Sequence, residues 1–479
     1  MSNKESRKMN VTNYLNGSYE YHENETDPLL GIIVRNEQTS DYNKNQQHRV
    51  KKTGKKDISG TSWYTATFVV VNAALGAGLL NFPQAYHQAG GVLVAMCVQL
   101  VLIVFIIAAL LILAHCSDAN TSSTYQEVVR QICGEKARRI CAALIALYCY
   151  GTCITFVIII GDQFDTVFQS LYGAGYCHYW YMRREFAMIV SCCIIILPLC
   201  FPRRIDFLKY ASTFGVVAVL YVVFLIIYKY FEGKFEPGSI RRKPDIWTDV
   251  FVVVPTICFG YQCHVSCVPV YSCLADRRVT TFLKTVLVAI GLCLFTYSVA
   301  ASFGYLTFGS YVASDILVSY DAKDPVVLIG VVAFAIKTYT TYPILLFCGR
   351  TAIDDLYLQA RGSSEEQAQR NERCRRITIA LFWFASSLLL AVLIPNIGVI
   401  IRVLGSLAAV FIFVFPGTCL LNLTLTKDPE LIMLKNKLIV IWAIFFIAMG
   451  ACIFGLVLIQ SLIQDMFKES LLDKGDSCH

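Results

Sequence analysis

The residues best suited to chemistry in this 479-residue chain are polar groups set inside apolar stretches. In Val71–Pro83, Asn72 precedes the triplet Gly76-Ala77-Gly78, and Pro83 follows. Two glycines this close cost a helix about 1 kcal/mol each. The pattern recurs at Val254–Ser266, where Pro255 and Cys258-Phe259-Gly260 lead into Gln262 and His264, with Pro269 beyond. In lipid, backbone that leaves the helix finds no water, so a break survives only against protein or a wet cavity. Freed N–H groups at Gly76, Ala77 and Gly78, opening a half-helix, suit a carboxylate. Freed carbonyls at Cys258, Phe259 and Gly260 suit an ammonium. Together the two breaks fit a zwitterion, with Tyr148, Tyr150 and Gln262 chosen by depth alone as readers of its side chain. The alternative is glycine used for close helix packing beside tolerated proline kinks.

A third stretch, Lys337-Thr338-Tyr339-Thr340-Thr341-Tyr342-Pro343, lies mid-way along another apolar run. Pro343 removes a backbone donor, freeing carbonyls near Tyr339. With the Thr340 and Thr341 hydroxyls and Asn72 from the first break, these oxygens suit a hard monovalent cation such as Na⁺. Membrane threonines also bond back to their own helix. Lys337 is an ionisable group in mid-span, a functional hypothesis by default. It stands in for a bound cation, carries a proton, reaches for the inner face, or pairs with Asp162. His264 is a proton relay or a hydrogen-bonded helix histidine. No nucleophile–base pair, phosphate-cradling glycine loop or zinc spacing is present, and Ser302 and Ser406 sit in plain apolar runs, so the reading is not an enzyme.

The elements that must position these residues are membrane spans. The composition is 56% hydrophobic and 16% charged, with mean hydropathy +0.56, far below the charge of about a quarter in soluble domains. Eleven apolar segments run roughly over 63–86, 90–113, 140–170, 186–202, 207–230, 248–270, 283–308, 325–349, 376–395, 398–421 and 438–465. With the N-terminus inside, inner segments hold 29 Lys and Arg against 9 outside. That split sets the orientation and makes the net charge of +7 a matter of topology, not nucleic-acid binding. All five glycosylation sequons (Asn10, Asn16, Asn24, Asn120, Asn422) then fall inside and are expected to be unused. Most of the 20 cysteines lie in apolar runs; Cys177 and Cys478 are the two placed in outer segments. Residues 1–60 read as a disordered tail. In the tail, Glu25 four residues before Leu29-Leu30 fits an acidic dileucine motif for sorting adaptors.

Asn72-Ala73 through Gly76-Ala77-Gly78, with Phe259-Gly260-Tyr261-Gln262-Cys263-His264 and Pro269, resembles the amino acid/auxin permease group. Within it the chain resembles the sodium-coupled neutral amino acid transporters over about Thr61 to Ile463. The resemblance implies an all-α polytopic protein of eleven transmembrane helices. Its core is a 5+5 inverted repeat with a LeuT-like fold and broken helices 1 and 6. The repeats cover about 61–230 and 247–421 of a core at 61–421, followed by an eleventh helix over 436–466 and a tail over 467–479. It implies neutral amino acids as substrates (glutamine and asparagine), and for one member export from lysosomes, with the plasma membrane second. The family's cation site carries over onto Asn72 and Thr341. Lys337 departs from the family's pattern and weighs toward H⁺ rather than Na⁺ as the coupling ion. No prosthetic cofactor is implied, and the other expected partner is membrane lipid. The rival readings are an amino-acid-sensing receptor signalling through the tail, a channel-like conductor, and a proton-coupled carrier of small amino acids.

Overall fold

The computed structural model describes residues 60–202, 209–362, 371–394, 396–430 and 433–472. It is helical, and among the described residues the one extended pairing is a bridge between Thr61 and Leu274. The chain opens with α1 (Trp63–Ala74), capped where Ser62 Oγ accepts from the Thr65 N–H, and α2 (Gly78–Gln88), bent from it by 62°. α3 (Val92–Asn120), a short amphipathic α4 (Tyr125–Cys133) and α5 (Glu135–Tyr172) follow. α4 starts on a reciprocal cap: Thr124 Oγ1 accepts from Glu127 N–H at 3.2 Å, and Glu127 Oε2 accepts from Ser123 N–H at 3.0 Å. Next come α6 (Arg184–Ser191), α7 (Lys209–Glu232), α8 (Val254–Gly260) and α9 (His264–Ser272). The rest are α10 (Val279–Phe308), α11 (Pro325–Arg361), α12 (Glu372–Leu393), α13 (Ile397–Ala409), α14 (Phe415–Lys427) and α15 (Leu434–Leu472). α11 begins with Pro325, whose missing N–H would be unpaired there anyway, and Asp324 Oδ1 accepts from Val326 N–H at 2.9 Å.

Among the described residues nine helices are long and apolar enough to cross a membrane, or ten with α1 and α2 as one bent span. The sequence leads one to expect eleven. The segment outside this set is the fourth, where α6 runs into a π turn at Cys192–Ile196 and a last turn at Leu197–Leu199. That run covers about 24 Å at 1.5 Å per residue, against about 30 Å of hydrocarbon. Pro198 is accommodated in the first turn of that last piece, and Pro202 stops the run, since proline disfavours a helical residue before it and Phe201 has already left the helix.

The packing puts the broken spans together. α10 lies on α1, α2 and α3, and α9 lies on α3 and α1. A second group has α5 running along α11, α11 leaning on α7, and α12 and α13 on α5. A buried chain pins the first group: Tyr86 hydroxyl donates to Gln99 Oε1 at 2.5 Å, and Gln99 Nε2 donates to the Tyr261 hydroxyl at 2.7 Å. An amide bonded at both its oxygen and its nitrogen holds three elements in one register, whereas unpaired it would cost about 1–3 kcal/mol. At the N-terminal side, Thr61 N–H donates to Cys273 O at 2.9 Å and Ala275 N–H donates to Thr61 O at 3.0 Å. The strand leading into α1 is thereby fastened to the end of α9. A Cβ on Gly60 would stand 2.3 Å from Ala275 Cα, so only glycine lets the two backbones meet.

Candidate functional site

The first break lies where the glycine spacing puts it. α1 ends at Ala74, and Leu75 leaves the helix at ψ 89°. α2 begins at Gly78, with buried Ala77 ahead of it. A Cβ on Gly78 would come 3.1 Å from Gly260 Cα, and one on Gly260 would come 2.7 Å from Phe82 Cε2. The two broken spans therefore touch backbone to backbone, and glycine serves close packing as well as the break.

Tyr297 of α10, which the sequence reading passes over, joins the two. Its hydroxyl lies 2.7 Å from Ala74 O and 3.0 Å from Gly260 O, and it accepts from Gly76 N–H at 3.5 Å. Its ring stacks on Phe82 at 4.4 Å. The signal was present: a tyrosine in the middle of an apolar span must bury a hydroxyl that needs partners. Asn81 is a second junction, donating from Nδ2 to Ser314 O at 3.0 Å and accepting at Oδ1 from the Thr256 hydroxyl at 3.1 Å.

In the second broken span Cys258, Phe259 and Gly260 are still helical, and the break falls at Tyr261–Cys263. Gln262 N–H turns back to Phe259 O at 3.4 Å, one residue short of the helical partner Cys258 O. Gln262 Oε1 meets His264 Nδ1 at 3.1 Å. Gln262 Nε2 and His264 Nε2 are buried without a protein partner, two polar atoms at the break. Tyr148 packs near Phe259, ring centroids 6.2 Å apart, while Tyr150 turns to Trp383 at 5.2 Å.

The candidate cation ligands on α11 bond within their own helix. Thr341 Oγ1 donates to Lys337 O at 2.7 Å, and Thr340 Oγ1 donates to Ile336 O at 2.9 Å and lies 3.0 Å from Lys337 O. α11 runs unbroken through Pro343. Lys337 neither reaches for the inner face nor pairs with Asp162, which takes Arg184 at 2.8 Å. Instead Lys337, 5% exposed, donates from Nζ to Leu75 O at 3.0 Å, with Nζ 5.0 Å from the Phe334 ring centroid. Its stem passes Gly215, where a Cβ would stand 3.3 Å from Lys337 Cγ. Asn72 is half-buried in the last turn of α1. Glu25, Leu29 and Leu30, the Cys177 side chain and Cys478 lie outside the described residues.

The stacked apolar spans and their buried break define a multi-pass membrane protein. A sequence profile for transmembrane amino acid transporter proteins matches residues 59–463, and the chain belongs to that family. The family is one of transporters rather than enzymes, as the sequence implies. The wording of Val71–Pro83, Thr124–Val129 and Ile159–Gln163 points within it to sodium-coupled neutral amino acid transporter 7. The protein of that name from Danio rerio is 42% identical over 412 residues, 85% of this chain and 88% of that one. The Homo sapiens protein is 42% identical over 417 residues, 86% and 90% of the two chains. Solute carrier family 38 member 8 of Homo sapiens is 35% identical over 399 residues, 81% and 91% of the two. Among solved structures, MhsT in complex with L-phenylalanine aligns over 85% of this chain and 100% of that one, at TM-score 0.48 and 13% identity, too distant to carry weight.

Proposed function

We propose that the protein is a cation-coupled secondary active transporter of neutral L-amino acids of the glutamine and asparagine type, exporting them from lysosomes by alternating access. The observation that carries this reading is the meeting of the two breaks at Gly78, Gly260 and Tyr297. The substrate carboxylate takes the N–H groups at Gly76, Ala77 and Gly78, where the dipole of α2 favours an anion. The ammonium takes carbonyls at Ala74, Cys258, Phe259 and Gly260, and the side-chain amide lies toward Gln262. Two inverted five-span halves form the core, and spans one, two, six and seven rock as a bundle around the site. The relatives named sodium-coupled support Na⁺ as the coupling ion. Asn72 is its side-chain ligand in α1. Thr340 and Thr341 join it only by turning from their own helix. Residues Glu25, Leu29 and Leu30 form the sorting signal that supports a lysosomal address.

A second reading, H⁺ as the coupling ion, rests on the Lys337 contact with Leu75 O. Uptake of radiolabelled glutamine into proteoliposomes, with Na⁺ and pH gradients imposed separately, tests both. Loss of Na⁺ dependence in Asn72→Ala and Thr341→Ala supports Na⁺. Normal Na⁺-driven uptake in both removes that assignment, and a pH-driven flux lost in Lys337→Ser supports H⁺.

A further inference from the structure

We propose that Cys133, Cys419 and Asn422 form a peroxide-reactive dithiol where α4 docks on α14. Cys133 is the last residue of α4 and is half-buried, while Cys419 is fully buried. Their sulfurs are 3.8 Å apart, and Asn422 Nδ2 donates to Cys133 Sγ at 3.4 Å. Cys419 and Asn422 are three residues apart on one helix face, so both aim at the same sulfur. Donors converging on a sulfur favour the thiolate. The Cys419 thiol first, then the Asn422 amide, hold the Cys133 thiol below its ordinary value against the opposing effect of burial. The arrangement pairs a reachable thiolate with a buried resolving thiol. The transport reading leaves these residues without a task.

The chemistry balances with hydrogen peroxide as oxidant. The Cys133 thiolate attacks one peroxide oxygen. An S–O bond forms, the O–O bond breaks, and the departing hydroxide takes a proton to become water. The sulfur loses two electrons and the peroxide gains them. Cys419 Sγ then attacks the Cys133 sulfur: the S–S bond forms, the S–O bond breaks, and the Cys419 proton leaves with hydroxide as a second water. Closing the gap to an S–S bond of about 2.05 Å takes a modest side-chain shift. The product staples the end of α4 to α14, while Tyr125 at its start already donates to Phe411 O at 2.9 Å in the π turn Val410–Val414.

The test uses the full chain in proteoliposomes, titrated with hydrogen peroxide, alkylated, digested and read by mass spectrometry. The expected result is a linked Cys133–Cys419 peptide that forms before oxidation of Cys374, an exposed cysteine outside the apolar segments, and is reversed by dithiothreitol. In Cys419→Ser, dimedone labels Cys133 as its sulfenic acid. In Asn422→Leu, the pH midpoint for Cys133 alkylation moves up, and linkage at neutral pH slows several-fold. The proposal is overturned if wild-type Cys133 and Cys419 stay as alkylated thiols at peroxide levels that oxidise Cys374, or if Cys419→Ser leaves Cys133 without a dimedone adduct.

Discussion

Lys337 Nζ stands 3.0 Å from the Leu75 carbonyl oxygen, so a side chain of the unbroken α11 closes onto the gap between α1 and α2. That carbonyl belongs to the residue that leaves the helix, and Lys337 supplies the donor its own helix no longer offers. A cation that used this oxygen would have to displace the lysine.

Lys337→Met keeps the stem and removes the charge. A buried carbonyl left unpaired costs about 1–3 kcal/mol, so the melting midpoint of the detergent-solubilised protein is expected to fall. Added Na⁺ should then raise that midpoint more in the variant than in the wild type, because a ligand that binds the folded state stabilises it. An equal Na⁺ response in the two proteins counts against shared occupancy.

Tyr297→Phe retains the stacking on Phe82 and deletes the hydroxyl that meets Ala74 O, Gly260 O and Gly76 N–H. The expected outcome is a rise in KM for glutamine of about tenfold, the equivalent of roughly 1.4 kcal/mol. Initial-rate uptake across a substrate series measures it; an unchanged KM takes Tyr297 out of the site.

Gly78→Ala and Gly260→Ala are expected to differ. The added methyl at 260 meets a side chain, Phe82, whereas the one at 78 meets the Gly260 backbone. Pairing Gly260→Ala with Phe82→Leu should recover part of the lost uptake. No such relief exists for Gly78→Ala, and recovery there by Phe82→Leu would show that the backbone approach is not the obstacle.

Asp315, in the segment between α10 and α11, is 1% exposed. Oδ1 accepts from Leu317 N–H at 2.8 Å, while Oδ2 is buried without a hydrogen bond. Burial first, then the charge of Asp162, raises its carboxyl to about 8, opposed by the Leu317 amide. A folded-state value above the unfolded one makes this group's contribution largest below the unfolded value of about 4. It is lost as pH rises through about 8, at roughly 1.4 kcal/mol per pH unit in between. Asp315→Asn mimics the neutral acid, so its melting midpoint should exceed wild type at pH 7.5, with the difference shrinking toward pH 5. Equal gains at both pH values would mean that the acid does not titrate there.

Ten of the eleven expected spans and the first break were legible because apolar length and paired glycines act locally. The second break was legible to within a turn: Pro255 sits in the first turn of α8, where it supports the helix, and the chain leaves the helix just after Gly260, at Tyr261–Cys263. The α11 threonines met their own helix carbonyls, the outcome any isolated membrane helix allows. Tyr297 and the Lys337–Leu75 contact join residues more than two hundred positions apart. Only the fold brings such pairs together, so no spacing rule reaches them.

The fastening of Thr61 to Cys273 and Ala275 sets the load path of the molecule. A force on the polypeptide ahead of residue 60 does not stop at the half-helix it enters. It divides between α1 and α9, one half of each broken span. Anything that grips the chain there works as a handle on both sides of the gap at once.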